Sequence, residues 1–303
     1  MTFGVLLPDP AAVRRGADDY VDPTLPGISP AIYSHKDFAA VARLIHEEAG
    51  IKLPDGKKML VYSRLAPLVR ESGAGTFSAF LDLIRTDHAR RVRTVAALTT
   101  NHTYFNRESH HFDHFESEVR PGLLRRLAQR EPIRIWSAGC SSGEEVWSLA
   151  LTLLGADKLE GRRIVQGDLR ILASDIADHA LKAAEAATYD AVALDAVPGP
   201  LRAAWTTVDG YRARIAAEPR SLVRFRQLNL QGAWPMRGLF QVIFCRNVMI
   251  YFDLPTKERL VARFADQLEP GGFLYIGHSE RVSGPASDLL HQVGPTIYRR
   301  REA

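Results

Sequence analysis

Apolar residues recur at three- and four-residue spacing through residues 34–98, a pattern typical of amphipathic helices. A first predicted helix ends at Gly50, a second starts near Lys57, a third follows Thr76 as its N-cap, and a fourth runs through 92–98. The predicted inward positions are Phe38, Val41, Leu44, Ile45, Met59, Leu60, Leu65, Leu68, Val69, Phe77, Phe80, Leu81, Ile84, Val92, Val95 and Leu98. Residues 34–98 are therefore predicted to form a small helical domain. Before them, five prolines within residues 1–33 interrupt any continuous helix, so we expect a loosely ordered arm.

After residue 129, short apolar runs alternate with helical periodicity. Strands are predicted at 133–136, 170–174, 241–245, 272–276 and 296–300, and helices at 143–154, 178–187 and 255–268. This alternation predicts a doubly wound α/β domain over residues 130–303, with a parallel sheet covered on both faces. Residues 99–129 are predicted to be a linker and a connecting helix.

The alternation breaks at about residues 188–228. Two short apolar runs, Tyr211–Ile215 and Leu222–Arg226, flank Glu218–Pro219, which predicts a hairpin. We interpret the region as a small antiparallel β insertion, used for contact with a partner or as decoration of the sheet edge.

Composition narrows the class of protein. Of 303 residues, 46% are hydrophobic and 24% are charged, which is typical of a globular domain. The net charge of +4 suits acidic partners but is far from that of a dedicated nucleic-acid binder. Two cysteines, Cys140 and Cys245, form neither a disulfide framework nor a zinc motif. With no signal peptide or membrane-spanning run, we expect a cytoplasmic protein without membrane insertion, and nothing demands more than a monomer.

The stretch Ile133–Ser148 combines a buried strand, a turn of small residues and a helix start. Such a turn brings backbone N–H groups close to a ligand, because glycine and serine leave room. Glu144 and Glu145 follow at once and would repel a phosphate. A ligand with an ammonium group, a sulfonium and a ribose, such as S-adenosyl-L-methionine, fits better. The alternative is an ordinary strand–helix corner with acids at the helix N-terminus.

Other polar residues fall at the carboxyl ends of predicted strands, where ligands of such sheets bind. Asp175 ends the second strand and is placed to accept hydrogen bonds from ribose hydroxyls, although a helix N-cap is the alternative role. The full set at these ends is Gly139, Glu144, Asp175, Arg246 and Asn247. In the linker, Asn101, Thr103 and Arg107 add an amide, a hydroxyl and a guanidinium that can hold a carboxylate.

Two features have competing interpretations. The histidines His110, His111 and His114 suggest a metal, but neighbouring residues of a helix point to different faces, so we expect none. The second helix carries Lys57, Lys58, Arg64 and Arg70 at its predicted exposed positions. This basic strip is either a solvated face or a docking surface for an acidic partner, whose approach it would accelerate.

The chain resembles the chemotaxis-receptor glutamate O-methyltransferases of the CheR type over about residues 34–300. The motifs are LTTNHTYFNRESHHF (98–112), IRIWSAGCSSGEEVWSLA (133–150), ILASDI (171–176), FRQLNL (225–230), VIFCRNVMIYFD (242–253) and GGFLYIGHSE (271–280). The resemblance implies a class I S-adenosylmethionine-dependent methyltransferase domain with an N-terminal helical bundle and an inserted β-subdomain. It also implies methyl transfer from S-adenosyl-L-methionine to glutamates on cytoplasmic helices of chemoreceptors, with S-adenosyl-L-homocysteine as the product.

The resemblance also implies roles for individual residues. Asn101, Thr103 and Arg107 would line the cofactor pocket, Glu144 would meet the methionyl ammonium and Asp175 the ribose. Asn229, Leu230, Arg246 and Asn247 would surround the rest of the cofactor. Arg107 and Tyr251 would sit nearest the transferred methyl, and the basic helix would approach acidic receptor segments.

The chain departs from the family pattern in two places. Asn106 stands where the family often has phenylalanine, which makes the linker more polar. The predicted hairpin is compact, with Glu218–Ser221 at its tip. Some family members use this subdomain to hold a tether peptide of the receptor, so we expect an enzyme that works without a tether.

Two other functions are compatible with parts of this pattern. A nucleic-acid amino-methyltransferase would carry a proline pair after the fourth strand, where this chain has CRNVMIYF. A non-catalytic S-adenosylmethionine-binding signalling module would keep the same fold, and the retained polar residues argue against it.

Overall fold

A computed structural model describes Leu25 and residues 27–302. Contacts between residues divide the chain into two units. The first comprises the residues up to Leu44 together with Leu53–Thr94, and the second comprises Ile45–Lys52 and the chain from Val95 onward. Residues 1–24 and 26 of the predicted arm lie outside the described residues. In the part of the chain that is described, no helix has the length and apolar character needed to cross a membrane.

The helical region contains α1 (His35–Ala49), α2 (Lys58–Ser72), α3 (Phe77–Thr86) and α4 (His88–Leu98). The predicted cap is confirmed, because the Thr76 side chain accepts a hydrogen bond from the Ala79 N–H. Tyr33, placed in the arm by the sequence analysis, is buried with its ring 4.3 Å from that of Phe77. The last residues before α1 are therefore part of the packed unit.

The orientation predicted for the start of α2 is wrong. Lys58, predicted to be exposed, is 8% exposed, whereas Met59, predicted to be buried, is 40% exposed. The helix starts at Lys58 after a 3-10 turn, and its buried stripe runs through Val61, Leu65 and Val69. Because Lys58 lies one turn before Val61, it falls on the same face. The basic strip is thus reduced to Lys57 and Arg70, which are exposed, and the half-buried Arg64.

The second unit is built on a seven-stranded sheet with the order β6-β2-β1-β7-β8-β10-β9. Its strands are β1 (Ile133–Ala138), β2 (Leu169–Asp175), β6 (Val223–Gln227), β7 (Phe240–Cys245), β8 (Leu268–Ile276), β9 (Leu290–Gly294) and β10 (Ile297–Arg300). The first five in spatial order pair in parallel, whereas β10 is antiparallel to both neighbours. The predicted doubly wound architecture is confirmed. The order reverses between β1 and β7, where such folds bind ligands.

Helices precede the sheet and connect its strands. Before β1 come α5 (His110–His114), a π-helical turn (Phe115–Val119) and α6 (Arg120–Ala128). The connecting helices are α7 (Glu144–Leu154), α8 (Lys158–Gln166), α9 (Asp178–Ala186), α10 (Gly199–Trp205), α11 (Ala217–Leu222), α12 (Leu254–Gln267) and α13 (Ala286–Leu289).

The predicted hairpin Tyr211–Arg226 is wrong. A separate three-stranded sheet, β3-β5-β4, consists of β3 (Thr188–Asp190), β4 (Thr206–Asp209) and β5 (Arg212–Ile215). Residues 217–222 form α11, and β6 pairs in parallel with β2 in the main sheet. The hairpin prediction failed because the apolar residues Val223 and Phe225 are equally compatible with a hairpin strand and with a strand at the edge of the main sheet. The inserted sheet therefore ends near Ile215 rather than near residue 228.

Candidate cofactor and substrate site

The turn between β1 and α7 is held close to the sheet. Gly139 has a φ of +86°, and a Cβ there would clash with Val248 Cγ2. The backbone N–H groups of Gly139 and Cys140 both donate to the Ser174 carbonyl at the end of β2, over 2.7 and 2.9 Å. The absence of a side chain at Gly139 thus lets the loop after β7 approach this turn.

Asp175 is buried at the carboxyl end of β2. Its Oδ2 accepts from the Ser141 N–H at 2.8 Å and its Oδ1 from the Ala177 N–H at 2.9 Å. Burial raises the pKa of this carboxyl, while those backbone hydrogen bonds oppose the rise. The N-cap position of α9 belongs to Ala177, so the alternative role of Asp175 as the helix cap is wrong.

The two glutamates at the start of α7 have different environments. Glu144 is half-buried and accepts a hydrogen bond from Ser142 Oγ at 2.7 Å. Glu145 faces inward, accepting from Ser137 Oγ at 2.7 Å and from Arg246 Nη1 at 3.3 Å. Burial raises the pKa of both carboxyls. Glu145 therefore belongs to the interior charge network, and Glu144 is the acid that a ligand can reach.

Arg246 is the centre of that network, with a side chain only 1% exposed. Its guanidinium lies 3.3 Å from Glu145 Oε2 and 3.4 Å from Glu108 Oε2, and it also donates to the Arg107 carbonyl. All these contacts are with protein atoms, while its Nε has no hydrogen-bond partner among the described residues. Direct contact between Arg246 and the cofactor stays a prediction.

Glu108 connects three segments of the chain. Its Oε1 lies 3.3 Å from Asn247 Nδ2, 3.3 Å from the His278 backbone nitrogen and 3.1 Å from His278 Nδ1. Burial would raise its pKa, but Arg246 and these hydrogen bonds outweigh that effect and lower the pKa to about 2. Glu108 is thus an ionised anchor for the loops that follow β7 and β8.

A second buried acid, Glu280, shapes the same loops. It accepts from the backbone N–H groups of Gly277, Asn247 and Ile250, at 2.6, 3.2 and 3.2 Å. Asn247 has a φ of +58°, and Glu108, facing it, has a φ of +55°. Such backbone conformations cost energy and persist where neighbouring contacts enforce them, commonly at functional sites.

The predicted linker residues lie beside this network. Asn101 Nδ2 is 3.2 Å from His179 Nε2, and its carbonyl accepts from Ser141 Oγ at 3.0 Å. Arg107 Nη1 donates to the His102 carbonyl at 3.1 Å. Thr103 is half-buried in the same segment. The structure therefore brings Asn101 to the turn after β1 and joins Arg107 to Arg246 through its backbone.

The remaining predicted residues lie along the segments that follow β6 and β7. Asn229 donates to the Glu48 carbonyl at 2.5 Å and accepts from the Gln231 N–H at 2.9 Å, so its side chain already serves the protein. Leu230 is buried, and Tyr251 is half-buried in a 3-10 turn. Their cofactor and catalytic roles stay predictions.

No role was predicted for Glu108 or Glu280, and Glu145 was predicted only to disfavour a phosphate together with Glu144. The available signal was their position, since Glu108 follows Arg107 in the linker motif and Glu280 ends the GHSE motif. Of the three histidines considered, His111 is buried, and burial together with Arg246 lowers its pKa to about 3. Within the described residues, no group of three or more potential ligands is arranged to hold a metal ion.

The fold is a doubly wound α/β domain, and the candidate site residues lie at its topological switch point. Comparison with known families shows which family the chain belongs to. The model of the CheR methyltransferase SAM-binding domain matches residues 101–298, and that of the CheR all-alpha domain matches residues 36–99. The chain therefore belongs to the CheR methyltransferase family, and S-adenosylmethionine is the cofactor of its α/β domain.

Relatives extend over nearly the whole chain. A probable chemotaxis protein methyltransferase of Rhizobium etli is 42% identical over 84% of this chain and 96% of its own length. Chemotaxis protein methyltransferase 2 of Pseudomonas aeruginosa is 39% identical over 88% of this chain and 93% of its own length. A chemotaxis protein methyltransferase of Klebsiella aerogenes is 38% identical over 88% of this chain and 89% of its own length. The predicted class of enzyme, an S-adenosylmethionine-dependent methyltransferase, is thus confirmed.

Proposed function

We propose that this protein transfers a methyl group from S-adenosylmethionine to glutamate side chains of chemoreceptors. The names of the relatives support the receptor as substrate class. The observation that carries the proposal is the pair of acids at the carboxyl ends of neighbouring strands, the accessible Glu144 after β1 and the buried Asp175 of β2. A carboxylate at the start of α7 favours an ammonium over a phosphate, because it cancels the anion-binding character of a helix N-terminus.

These residues fit the cofactor by their chemistry. Glu144 would hold the methionyl ammonium, and Asp175 the ribose hydroxyls with the lone pairs that its two backbone donors leave. Gly139 would keep the turn and the loop after β7 at the close distance that this site needs. When bound, S-adenosylmethionine supplies a methyl group activated by its sulfonium.

The substrate requires positioning more than acid–base chemistry. In solution a glutamate side chain has a pKa of about 4.3, so it is ionised at neutral pH and can attack the methyl carbon directly. The enzyme must hold the carboxylate in line with the bond that breaks, out of contact with water. Arg107 would guide the carboxylate through its guanidinium, and Tyr251 would shape the pocket.

The basic strip would steer the enzyme to acidic receptor segments. The strip now comprises Lys57, Arg64 and Arg70, because Lys58 is buried. Attraction of this kind accelerates encounter and weakens as salt is added.

Tether independence remains part of the proposal. Its original basis, a short tip at Glu218–Ser221, falls with the corrected hairpin. The turn that joins β4 to β5 has only Gly210 and Tyr211 between the strands, so this turn is too short to wrap a peptide.

The proposal is tested with receptor-containing membranes and S-adenosylmethionine labelled in its methyl group. Alkali-labile label on the receptor is expected from the wild-type protein, and Arg107→Ala should lose most of the rate while keeping the melting temperature. Cofactor binding without any transfer would instead favour the signalling module. Wild-type turnover by Arg107→Ala would refute the role of that guanidinium.

A further inference from the structure

Tyr189 brings the inserted sheet into contact with the turn that carries Glu144. It is the middle residue of β3, it pairs with Ala213 of β5, and it is 9% exposed. Its neighbours on the strand, Thr188 and Asp190, are more exposed, as expected because successive side chains of a strand point to opposite faces. The buried face of β3 therefore presents a single side chain, which is a phenol.

The hydroxyl of this phenol contacts the turn between β1 and α7. It donates a hydrogen bond to the Ser142 carbonyl at 2.7 Å. Burial and the nearby Glu144 carboxylate raise the pKa of Tyr189 above its ordinary value, so the phenol stays protonated and keeps donating. Among the described residues, Tyr189 is the only hydrogen-bond donor to this carbonyl. Removal of the hydroxyl would therefore leave the carbonyl without a partner in the protein.

The peptide that Tyr189 contacts is tightly enclosed. Gly143, the N-cap of α7, has a φ of +98°, and a Cβ there would lie 2.8 Å from both Tyr189 Oη and Ala184 Cβ. The Tyr189 ring also packs edge-on against the buried ring of Phe105, with the ring centroids 4.9 Å apart. A ring packed on this scale has little freedom to move, so its hydroxyl holds the turn at a defined place.

The same turn determines where the Glu144 carboxylate lies. Ser142 Oγ donates to Glu144 Oε2 at 2.7 Å, and Glu144 is the first residue of α7. Ser142 thus accepts from Tyr189 through its carbonyl and donates to Glu144 through its side chain. A shift of Ser142 would move or release the carboxylate.

We propose that Tyr189 is a positioning residue for the cofactor, because by fixing Ser142 it holds the Glu144 carboxylate where the methionyl ammonium of S-adenosylmethionine binds. This inference rests on the proposed function, which assigns that ammonium to Glu144. Since Tyr189 and Ser142 are both uncharged, they orient the carboxylate without neutralising it, which leaves its negative charge for the ammonium. The inserted sheet thereby gains a role in cofactor binding, which neither partner contact nor decoration of the sheet edge would require.

The test compares Tyr189→Phe, Glu144→Gln, the double variant and the control Tyr33→Phe. Tyr33 is a matched control, because it is also buried and its hydroxyl donates to a backbone carbonyl, that of Lys58, at 3.2 Å in the first unit. Calorimetry measures the affinity for S-adenosylhomocysteine and for methylthioadenosine, which keeps the adenosyl group and the thioether but lacks the ammonium. Melting temperatures report the loss of stability that both phenylalanine variants share.

Tyr189→Phe should weaken S-adenosylhomocysteine binding about tenfold, which is the size expected for the loss of one hydrogen bond. Its affinity for methylthioadenosine should stay within about twofold of wild type, because that ligand has no ammonium for Glu144 to hold. In the double variant the two losses should not multiply, because both changes remove the same contact. The double variant should bind S-adenosylhomocysteine about as well as Glu144→Gln alone, and Tyr33→Phe should bind both ligands as wild type does.

Wild-type affinity of Tyr189→Phe for S-adenosylhomocysteine would refute the inference. An equal loss of affinity for both ligands would refute it as well, since it would indicate a general structural role. Losses that multiply to about 100-fold in the double variant would show that the two residues act independently and would also overturn it. Unchanged binding by Glu144→Gln would instead remove the ammonium site from the proposed function, and this inference with it.

Discussion

Replacing Arg246 by leucine should destabilise the α/β unit strongly. The change removes the cation that lies 3.3 Å from Glu145 and 3.4 Å from Glu108, and leaves two carboxylates, each 11% exposed, without it. In the wild type the pKa of Glu108 is lowered from 4.5 to about 2. Because a tenfold change in proton affinity corresponds to about 1.4 kcal/mol, the lowered pKa corresponds to about 3 kcal/mol near pH 7, a contribution that Arg246 shares with the hydrogen bonds from His278 and Asn247. Breaking a buried ion pair from one side commonly costs 3–5 kcal/mol, which agrees.

The sign of the pH dependence follows from the lowered pKa. A depressed carboxyl pKa stabilises the folded state above the ordinary pKa, and the contribution is lost as pH falls toward the folded value. The difference between wild type and Arg246→Leu should therefore be full near pH 7 and shrink as pH falls toward 2, because the buried carboxyls of the variant take up protons before Glu108 of the wild type does.

Urea unfolding followed by tryptophan fluorescence measures this effect directly. The four tryptophans, Trp136, Trp147, Trp205 and Trp234, all lie in the second unit. Arg212→Leu is the matched control, since it breaks an exposed ion pair with Asp190 and should cost less than about 1 kcal/mol. A loss below about 1 kcal/mol in Arg246→Leu, or a loss independent of pH, would refute the network as described.

Three further predictions concern the ligand-facing residues. Gly139→Ala should abolish S-adenosylhomocysteine binding in calorimetry, because the added Cβ would clash with Val248. The double variant Gly139→Ala with Val248→Ala should recover part of the affinity, and no recovery would contradict the steric cause. Glu144→Gln should weaken S-adenosylhomocysteine binding about tenfold without lowering the melting temperature, because burial already disfavours its charge; unchanged affinity would remove Glu144 from the ammonium site. Lys57→Glu with Arg70→Glu should raise KM for the receptor at low salt and leave kcat unchanged, and a KM insensitive to both variant and salt would exclude steering.

The sequence predicted those parts of the fold in which local pattern and tertiary context agree. The alternation after residue 129 was sufficient for the parallel sheet, and Thr76 marked a helix start by its own side chain. The pattern failed where one apolar run fits two environments, as in Val223–Gln227, whose pairing with β2 depends on a partner far away in sequence. It also failed at Lys58, because a lysine is expected to be exposed although this position continues the buried stripe of Val61, Leu65 and Val69.

The location of the candidate site could be predicted from the sequence, but the contacts between its residues could not. Glu144, Asp175, Arg246 and Asn247 all lie at the carboxyl ends of strands, as the topology requires. Motif spacing says nothing about which of two adjacent glutamates faces inward, so Glu145 and its pairing with Arg246 were missed. Glu108 contacts Asn247 and His278, which lie 139 and 170 positions further along the chain. A single sequence does not reveal contacts between positions so far apart.

The central claim is that the carboxyl group of a receptor glutamate is the methyl acceptor. The most direct test is mass spectrometry of peptides from a receptor cytoplasmic fragment after incubation with the enzyme and S-adenosylmethionine. We predict a gain of one methyl group on glutamate side chains, lost on treatment with base and strongly reduced with Arg107→Ala. A methyl group found only on lysine, arginine or a backbone amine, or a base-stable product, would contradict the account.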